Sequence, residues 1–253
     1  MTWPYPRVVA HRGGGTLAPE NTLAAVKEGA RRGFRAIEFD VMLARDGVPV
    51  VLHDPYLGRT VPGSGNVPDY DAAELVQMDA GGWFSKAHAG EPVPYFVEFA
   101  QYCKANGIWM NIEIKPADGH EAATGATVAR IAAALFADDL GSPAAPLLSS
   151  FSMAALAAVQ QAAPALARAC LFDHLPPDWH AQASTLGAVA IHTNHKHLTE
   201  SETHAIKAAG LGLLCYTVNT PHRATTLLSW GVDSLCTDRL DLIGPDFAKN
   251  NYP

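Results

Sequence analysis

The sequence predicts an α/β fold: a single (β/α)8 TIM barrel with a small insertion after the second strand. Its 253 residues match the length of one such barrel, about 250 residues. Short β-rich runs alternate with longer Ala-rich amphipathic segments along almost the whole chain. Two of the strand runs carry polar residues on one face and apolar residues on the other, the pattern of a strand that lines a barrel and backs onto helices. Residues 1–253 are accordingly expected to form one domain, with an inserted subdomain at about 54–94.

In chain order, the first strand is expected at Arg7–Ala10, followed by Gly13-Gly14-Gly15 and a helix over Thr22–Arg32 capped by Asn21 or Thr22. A strand at Ala36–Val41 follows, and Asp46-Gly47 is a turn signal that folds Val41–Ala44 against Val48–Leu52. The Gly-, Pro- and Asp-rich stretch from Asp54 to Pro94 is too long for an ordinary connection and reads as an insertion with its own small fold. Its Trp83 and Phe84 are expected in that small core. Strands at Ile108–Lys115, Leu147–Phe151, Ala167–Phe172, Ala188–Thr193, Leu211–Val218 and Ser234–Thr237 complete the set. Helices at Phe96–Ala105, Glu121–Ala137, Met153–Ala162, Asp178–Leu186, Glu200–Ala209 and His222–Trp230 alternate with them, with a weaker one near the C-terminus. Ser152, Thr199 and Thr220-Pro221 are helix starts, and Gly33, Gly107, Gly187, Gly210 and Gly231 sit where helices should stop.

Composition narrows the function. Hydrophobic residues are 48% of the chain, enough for a substantial core. Eighteen Lys and Arg against 25 Asp and Glu give a net charge of -7, which disfavours nucleic acid as the partner. No apolar run approaches the roughly 18 residues of a membrane span. A first strand near Val8 leaves no room for a signal-peptide core, and Cys103, Cys170, Cys215 and Cys236 lie far apart in sequence. A cytoplasmic protein with reduced thiols is the expectation.

Glu38 and Asp40 share one face of their strand, opposite Ile37, Phe39 and Val41; Asn111, Glu113 and Lys115 do the same against Ile112 and Ile114. On an open antiparallel sheet these would be a solvated face, but the αβ alternation argues against one. Inside a barrel, Glu38, Asp40 and Glu113 need neutralising, and together they make an oxygen-only site for a hard divalent cation. His11 and Arg12 end the first strand at the C-terminal mouth, and the glycine triplet behind them lets backbone amides approach an anion. Folding about Asp46-Gly47 brings residues whose numbers sum to about 93 opposite each other, so His53 lands beside Asp40.

One mouth thus collects two histidines, Arg12, Lys115 and three carboxylates. No Gly-x-Ser-x-Gly elbow, His-Glu-x-x-His or paired cysteines point to serine or zinc chemistry. A glycosidase explains the carboxylates but not the cations. Phosphodiester cleavage uses the whole set: a cation, Arg12 and Lys115 against the non-bridging oxygens, and His11 and His53 as acid and base.

The chain resembles the glycerophosphodiester phosphodiesterase family of the bacterial cytoplasmic type. The resemblance rests on His11-Arg12-Gly13, Pro19-Glu20-Asn21-Thr22, Glu38-Phe39-Asp40-Val41, Asp46 through Asp54 and Ile112-Glu113-Ile114-Lys115. Ser150-Phe151, Thr217-Val218-Asn219, Gly231-Val232-Asp233 and Thr237-Asp238 match more weakly. It implies hydrolysis of deacylated phospholipid diesters to sn-glycerol 3-phosphate and an alcohol. It also implies His11 and His53 as the acid–base pair, Glu38, Asp40 and Glu113 as ligands of Mg2+ or Ca2+, and Arg12 and Lys115 as phosphate contacts. Tyr216 stands where many members carry Trp, and Ser234 and Leu240 replace a frequent Gly and Pro. Two other readings are a lysophospholipase D, which needs an apolar groove beside the mouth, and a catalytically silent phosphate-binding barrel. His192, His195 and His197 read as a polar loop after the sixth strand, since no carboxylate joins them at ligand spacing in the sequence.

Overall fold

A computed structural model describes residues 3–251. Strand β1 (Val8–Ala10) is followed by β2 (Ala36–Leu43) and, after a tight turn, by β3 (Pro49–Val51). Then come β4 (Trp109–Ile114), β5 (Leu147–Ser150), β6 (Ala167–Phe172), β7 (Ala190–Asn194), β8 (Gly212–Tyr216) and β9 (Ser234–Thr237). All except β3 pair in parallel, in the order β1-β9-β8-β7-β6-β5-β4-β2, and the ring closes because Ala10 also pairs with Ile37. This is the closed eight-stranded barrel that the alternation predicts, with β3 added antiparallel to β2.

Helices α1 (Leu23–Arg31), α3 (Phe96–Ala105), α4 (Glu121–Leu135), α5 (Met153–Ala162), α6 (Trp179–Thr185), α7 (Glu200–Ala208) and α8 (Pro221–Trp230) connect the barrel strands, and α9 (Phe247–Asn251) follows β9; α2 (Ala72–Leu75) lies within the insertion. The α1 start is set by Thr22, whose hydroxyl accepts from the Ala25 amide; Ser152 caps α5 in the same way, and Thr199 and Glu202 make a capping box at α7. Thr220 makes no side-chain cap, so Pro221 carries that start.

Strand parity divides the apolar residues. Val8, Ala10, Ile37, Phe39, Val41, Ile112, Ile114 and Leu148 face outward and pack with helix residues such as Phe99, Val128 and Leu156; the Phe39 and Phe99 rings lie 4.6 Å apart. The alternate residues Val9, Ala36, Trp109, Leu147, Ala169, Ala190, Leu214 and Cys236 form a separate cluster that plugs the barrel from below. This apolar floor leaves the polar interior residues above it, at the C-terminal mouth.

α4 and α5 approach each other at Gly125, where an added Cβ would stand 2.2 Å from the Ala155 carbonyl oxygen. Gly125→Ala is expected to lower stability by about 1–3 kcal/mol in urea unfolding, because backbone must move to admit the methyl. That outweighs the ~1 kcal/mol helix-propensity gain of Ala over Gly. A more stable variant would show that the two helices part without cost.

The hairpin register differs by one residue from the expected one. Val41 pairs with Val51, Met42 with Val50 and Leu43 with Pro49, so Leu52, not His53, stands opposite Asp40 and donates its amide to the Asp40 carbonyl (3.1 Å). β3 ends before His53, which leaves the ladder and still swings to the mouth. Between residues 54 and 94, Leu57, Val61, Val67, Leu75 and Val93 gather with Met42, Val50 and Leu52 of the hairpin into a second hydrophobic cluster.

Candidate active site

Strand ends deliver the site. Asp40 pairs in register with Glu113, and Glu38 with Asn111, so adjacent strands present their polar residues at matching heights. One carboxylate oxygen of each of Glu38, Asp40 and Glu113 lies within 4.8 Å of the others. The three share a buried setting and differ in charge. Burial opposes ionisation of Asp40, but Arg12, Lys115, His53 and a 2.8 Å hydrogen bond from the Asn21 amide hold its carboxyl below the usual range. Burial and then the Asp40 charge push Glu113 up to about 8; burial, Asp40 and Glu113 raise Glu38 well above its ordinary value. Glu38 Oε1, Glu113 Oε1 and Asn111 Oδ1 are buried without a hydrogen-bond partner. Orphaned, crowded oxygens of this kind are the donor set of a hard divalent cation, so the residues fit such a group.

His11 and His53 stand at the same mouth. His11 Nδ1 donates to Asp238 Oδ1 at 2.5 Å, and its Nε2 is 3.8 Å from Glu38 Oε2. His53 Nδ1 donates to Asp54 Oδ1 at 2.7 Å, and its Nε2 accepts from the Lys115 ammonium. Each imidazole is thus oriented by a carboxylate behind it and turns Nε2 to the mouth. Burial holds His53 below its ordinary value despite Asp40. Lys115 Nζ is also 3.8 Å from Asp40 Oδ1, and Arg12 Nε 3.7 Å from Asp40 Oδ2. The structure therefore brings together all seven residues singled out from the sequence.

Several partners escaped the sequence reading. Asp238 is held by Asn219, which donates to its Oδ2 (2.9 Å) and accepts from its amide. Asn21, in the left-handed region at φ 60, bonds both the Asp40 side chain and the Asp40 amide instead of capping α1. Asp54 is adjacent in sequence to the residue it orients; Asn21, Asn219 and Asp238 stand in segments that carry the family resemblance, but their pairings cross 19 to 227 residues.

Two of the three amides in the glycine triplet are engaged within the loop. The Gly13 and Gly15 amides donate to the Ala10 and His11 carbonyls. Gly15 adopts φ +55, and a Cβ there would lie 2.2 Å from the Asp238 carbonyl oxygen, so the loop is glycine because it packs against the segment that orients His11. Trp83 and Phe84 are not in the insertion's core: Trp83 is 44% exposed, and both line a cavity of about 430 Å3 with His11, Arg12, Glu20 and Asp238. Of the histidine patch, His192 points into the barrel, wholly buried with neither ring nitrogen paired, and burial pushes it down to about 3. His195 is engaged by Arg223. A carboxylate does join His197, from another loop: Asp173 Oδ2 is 3.9 Å from it and 2.8 Å from His174.

A model of the glycerophosphoryl diester phosphodiesterase family matches residues 11–242. A glycerophosphodiester phosphodiesterase of Caldanaerobacter subterraneus subsp. tengcongensis is 32% identical over 91% of this chain and 93% of its own length. The structure of an Oleispira antarctica phosphodiesterase, solved in complex with the product sn-glycerol-3-phosphate, superposes with a TM-score of 0.85 at 33% identity, covering 92% of this chain and 93% of that one. A glycerophosphodiester phosphodiesterase from Agrobacterium tumefaciens gives 0.75 at 29% identity, over 98% and 100%. Barrel, mouth and relatives together define a phosphoric diester hydrolase. The chain belongs to the glycerophosphoryl diester phosphodiesterase family. Among the described residues, no helix is long and apolar enough to cross a membrane.

Proposed function

We propose that the chain hydrolyses glycerophosphodiesters to sn-glycerol 3-phosphate and an alcohol, with a divalent cation, Mg2+ or Ca2+, at Glu38, Asp40 and Glu113 and with His11 and His53 as the acid–base pair. The observation that carries the reading is the pair of carboxylate-anchored imidazoles turned toward one acidic triad. The bound cation would offset charge on the phosphate's non-bridging oxygens as the transition state forms. Arg12 and Lys115 bind the same oxygens from the side, and withdrawing Lys115 from His53 to the phosphate frees Nε2. His53 is neutral, with its proton held on Nδ1 by Asp54, so its Nε2 accepts the proton of the attacking hydroxyl, from water or from the neighbouring glycerol carbon. Donation to the departing alkoxide falls to His11, with Asp238 behind Nδ1. Four free, buried thiols support a reducing, cytoplasmic setting.

A second substrate class is favoured by one observation, the Trp83–Phe84 wall beside His11, which has room for an acyl chain. A panel of glycerophosphodiesters and lysophospholipids separates the two. The proposal expects sn-glycerol 3-phosphate from the diesters, at a kcat/KM well above that for lysolipids. Preferential release of lysophosphatidic acid would make the chain a lysophospholipase D instead.

A further inference from the structure

The loop at 57–65 is drawn tight by amide bonds from Leu57 to Gly65 and from Gly58 to Val61, and it presents Arg59 to the mouth. All three nitrogens of the Arg59 guanidinium donate to carboxylates. Its Nε donates to Asp54 Oδ2 (2.5 Å), Nη1 to Glu20 Oε2 (2.9 Å) and Nη2 to Glu20 Oε1 (2.6 Å). Each carboxylate has a second client. Asp54 Oδ1 accepts a hydrogen bond from His53 Nδ1, and Glu20 Oε1 also accepts from Arg12 Nη1 at 2.7 Å. Arg59 is therefore the common node of two short chains, one ending on the proposed base and one on a proposed phosphate contact.

Without Arg59, Glu20 loses a donor to each of its oxygens and Asp54 loses the donor to Oδ2. A lysine offers one point charge and cannot serve two carboxylates in fixed directions. Asp54 and Glu20 are largely buried whereas Arg59 is 43% exposed, so the carboxylates are set in the wall of the mouth and the arginine closes over them from the insertion. This arrangement also gives the insertion a task that its own apolar cluster does not explain.

We propose that Arg59 is a positioning residue: from the insertion, it fixes His53 through Asp54 and Arg12 through Glu20, so that base and phosphate contact hold one geometry. The inference rests on the acid–base reading of His53. Small misplacements of reacting groups cost up to about 100-fold in rate.

The test measures kcat, KM, melting temperature and Mg2+ affinity for Arg59→Ala, Arg59→Lys and Glu20→Gln on a glycerophosphodiester, with His53→Ala alongside. Arg59→Ala is expected to lose about 10- to 100-fold in kcat with Mg2+ affinity unchanged, and millimolar guanidinium, far below denaturing levels, should restore part of that loss. Arg59→Lys should stay impaired. Adding Asp54→Asn to Arg59→Ala should cost less than the product of the two single effects, because both cut the chain to His53. A folded Arg59→Ala with kcat within twofold of the parent, or a loss that guanidinium leaves untouched, overturns the proposal. If Arg59→Ala does not fold, the same readings on Arg59→Lys and Glu20→Gln decide it, and parental kcat in both overturns it. An active His53→Ala would instead overturn the acid–base reading itself, so the two failures are distinct.

Discussion

Replacing either mouth histidine by alanine is expected to lower kcat on glycerophosphodiesters by about 10²-fold or more, the scale of lost general acid–base catalysis. The two variants should part company on a substrate with a good leaving group. A p-nitrophenolate needs no proton to depart, so His11→Ala should recover most of its rate on a p-nitrophenyl diester. His53→Ala should not, since the attacking hydroxyl must still lose its proton. The assignment follows from the surroundings: burial holds His53 below its ordinary value against the opposing pull of Asp40 and Asp54, and the Asp54 bond keeps its proton on Nδ1, which leaves Nε2 as the acceptor. Rescue of His53→Ala alone would exchange the two roles. Near-parental kcat in both variants on the diester would remove the histidines from the mechanism.

The second large effect concerns the carboxylates. Glu113→Gln is expected to lower activity by about 10³-fold, the upper range for removing an electrostatic stabiliser, and to abolish the rise in melting temperature on adding Mg2+ or Ca2+. Its effect on the chelated protein should run the other way. With the Glu113 carboxyl raised to about 8 from an ordinary 4.5, the folded protein holds a proton that the unfolded chain releases. The Glu113 contribution to the stability of the chelated parent therefore falls as pH rises from about 4.5 toward 8, since at this group the folded state binds more proton throughout that window. Glu113→Gln has no such proton and should lose that part of the slope, so that at pH 8 the chelated variant melts above the chelated parent. Melting curves across pH in chelator measure this directly. A chelated parent that gains stability from pH 5 to 8 relative to Glu113→Gln would mean that the triad is not crowded as described.

Much of this was legible in the sequence because barrel strands announce themselves twice, by alternation and by what the inward positions carry. Glu38, Asp40 and Glu113 are polar at positions whose outward neighbours, Phe39 and Ile112, are wholly buried. That contrast locates a site without any structure. α3 and α5 have the bounds expected of them because tertiary packing and local propensity agree there. The failures are of other kinds. A turn signal fixes that a hairpin forms but not its register to the residue, hence the displacement of His53 by one. Trp83 and Phe84 looked like core because exposure cannot be read from residue type. Asp238 and Arg59 act through partners 227 and 39 residues away, and no local pattern encodes such pairs.

The proposed reaction is cleavage of a glycerophosphodiester by His11 and His53, with Glu38, Asp40 and Glu113 as the residues that would hold a divalent cation. The most direct measurement is sn-glycerol 3-phosphate release by exhaustively chelated protein, before and after Mg2+ or Ca2+ is restored. No release above background is expected in chelator, with recovery on adding either ion to the parent but not to Glu113→Gln. Full release by the chelated parent would contradict it.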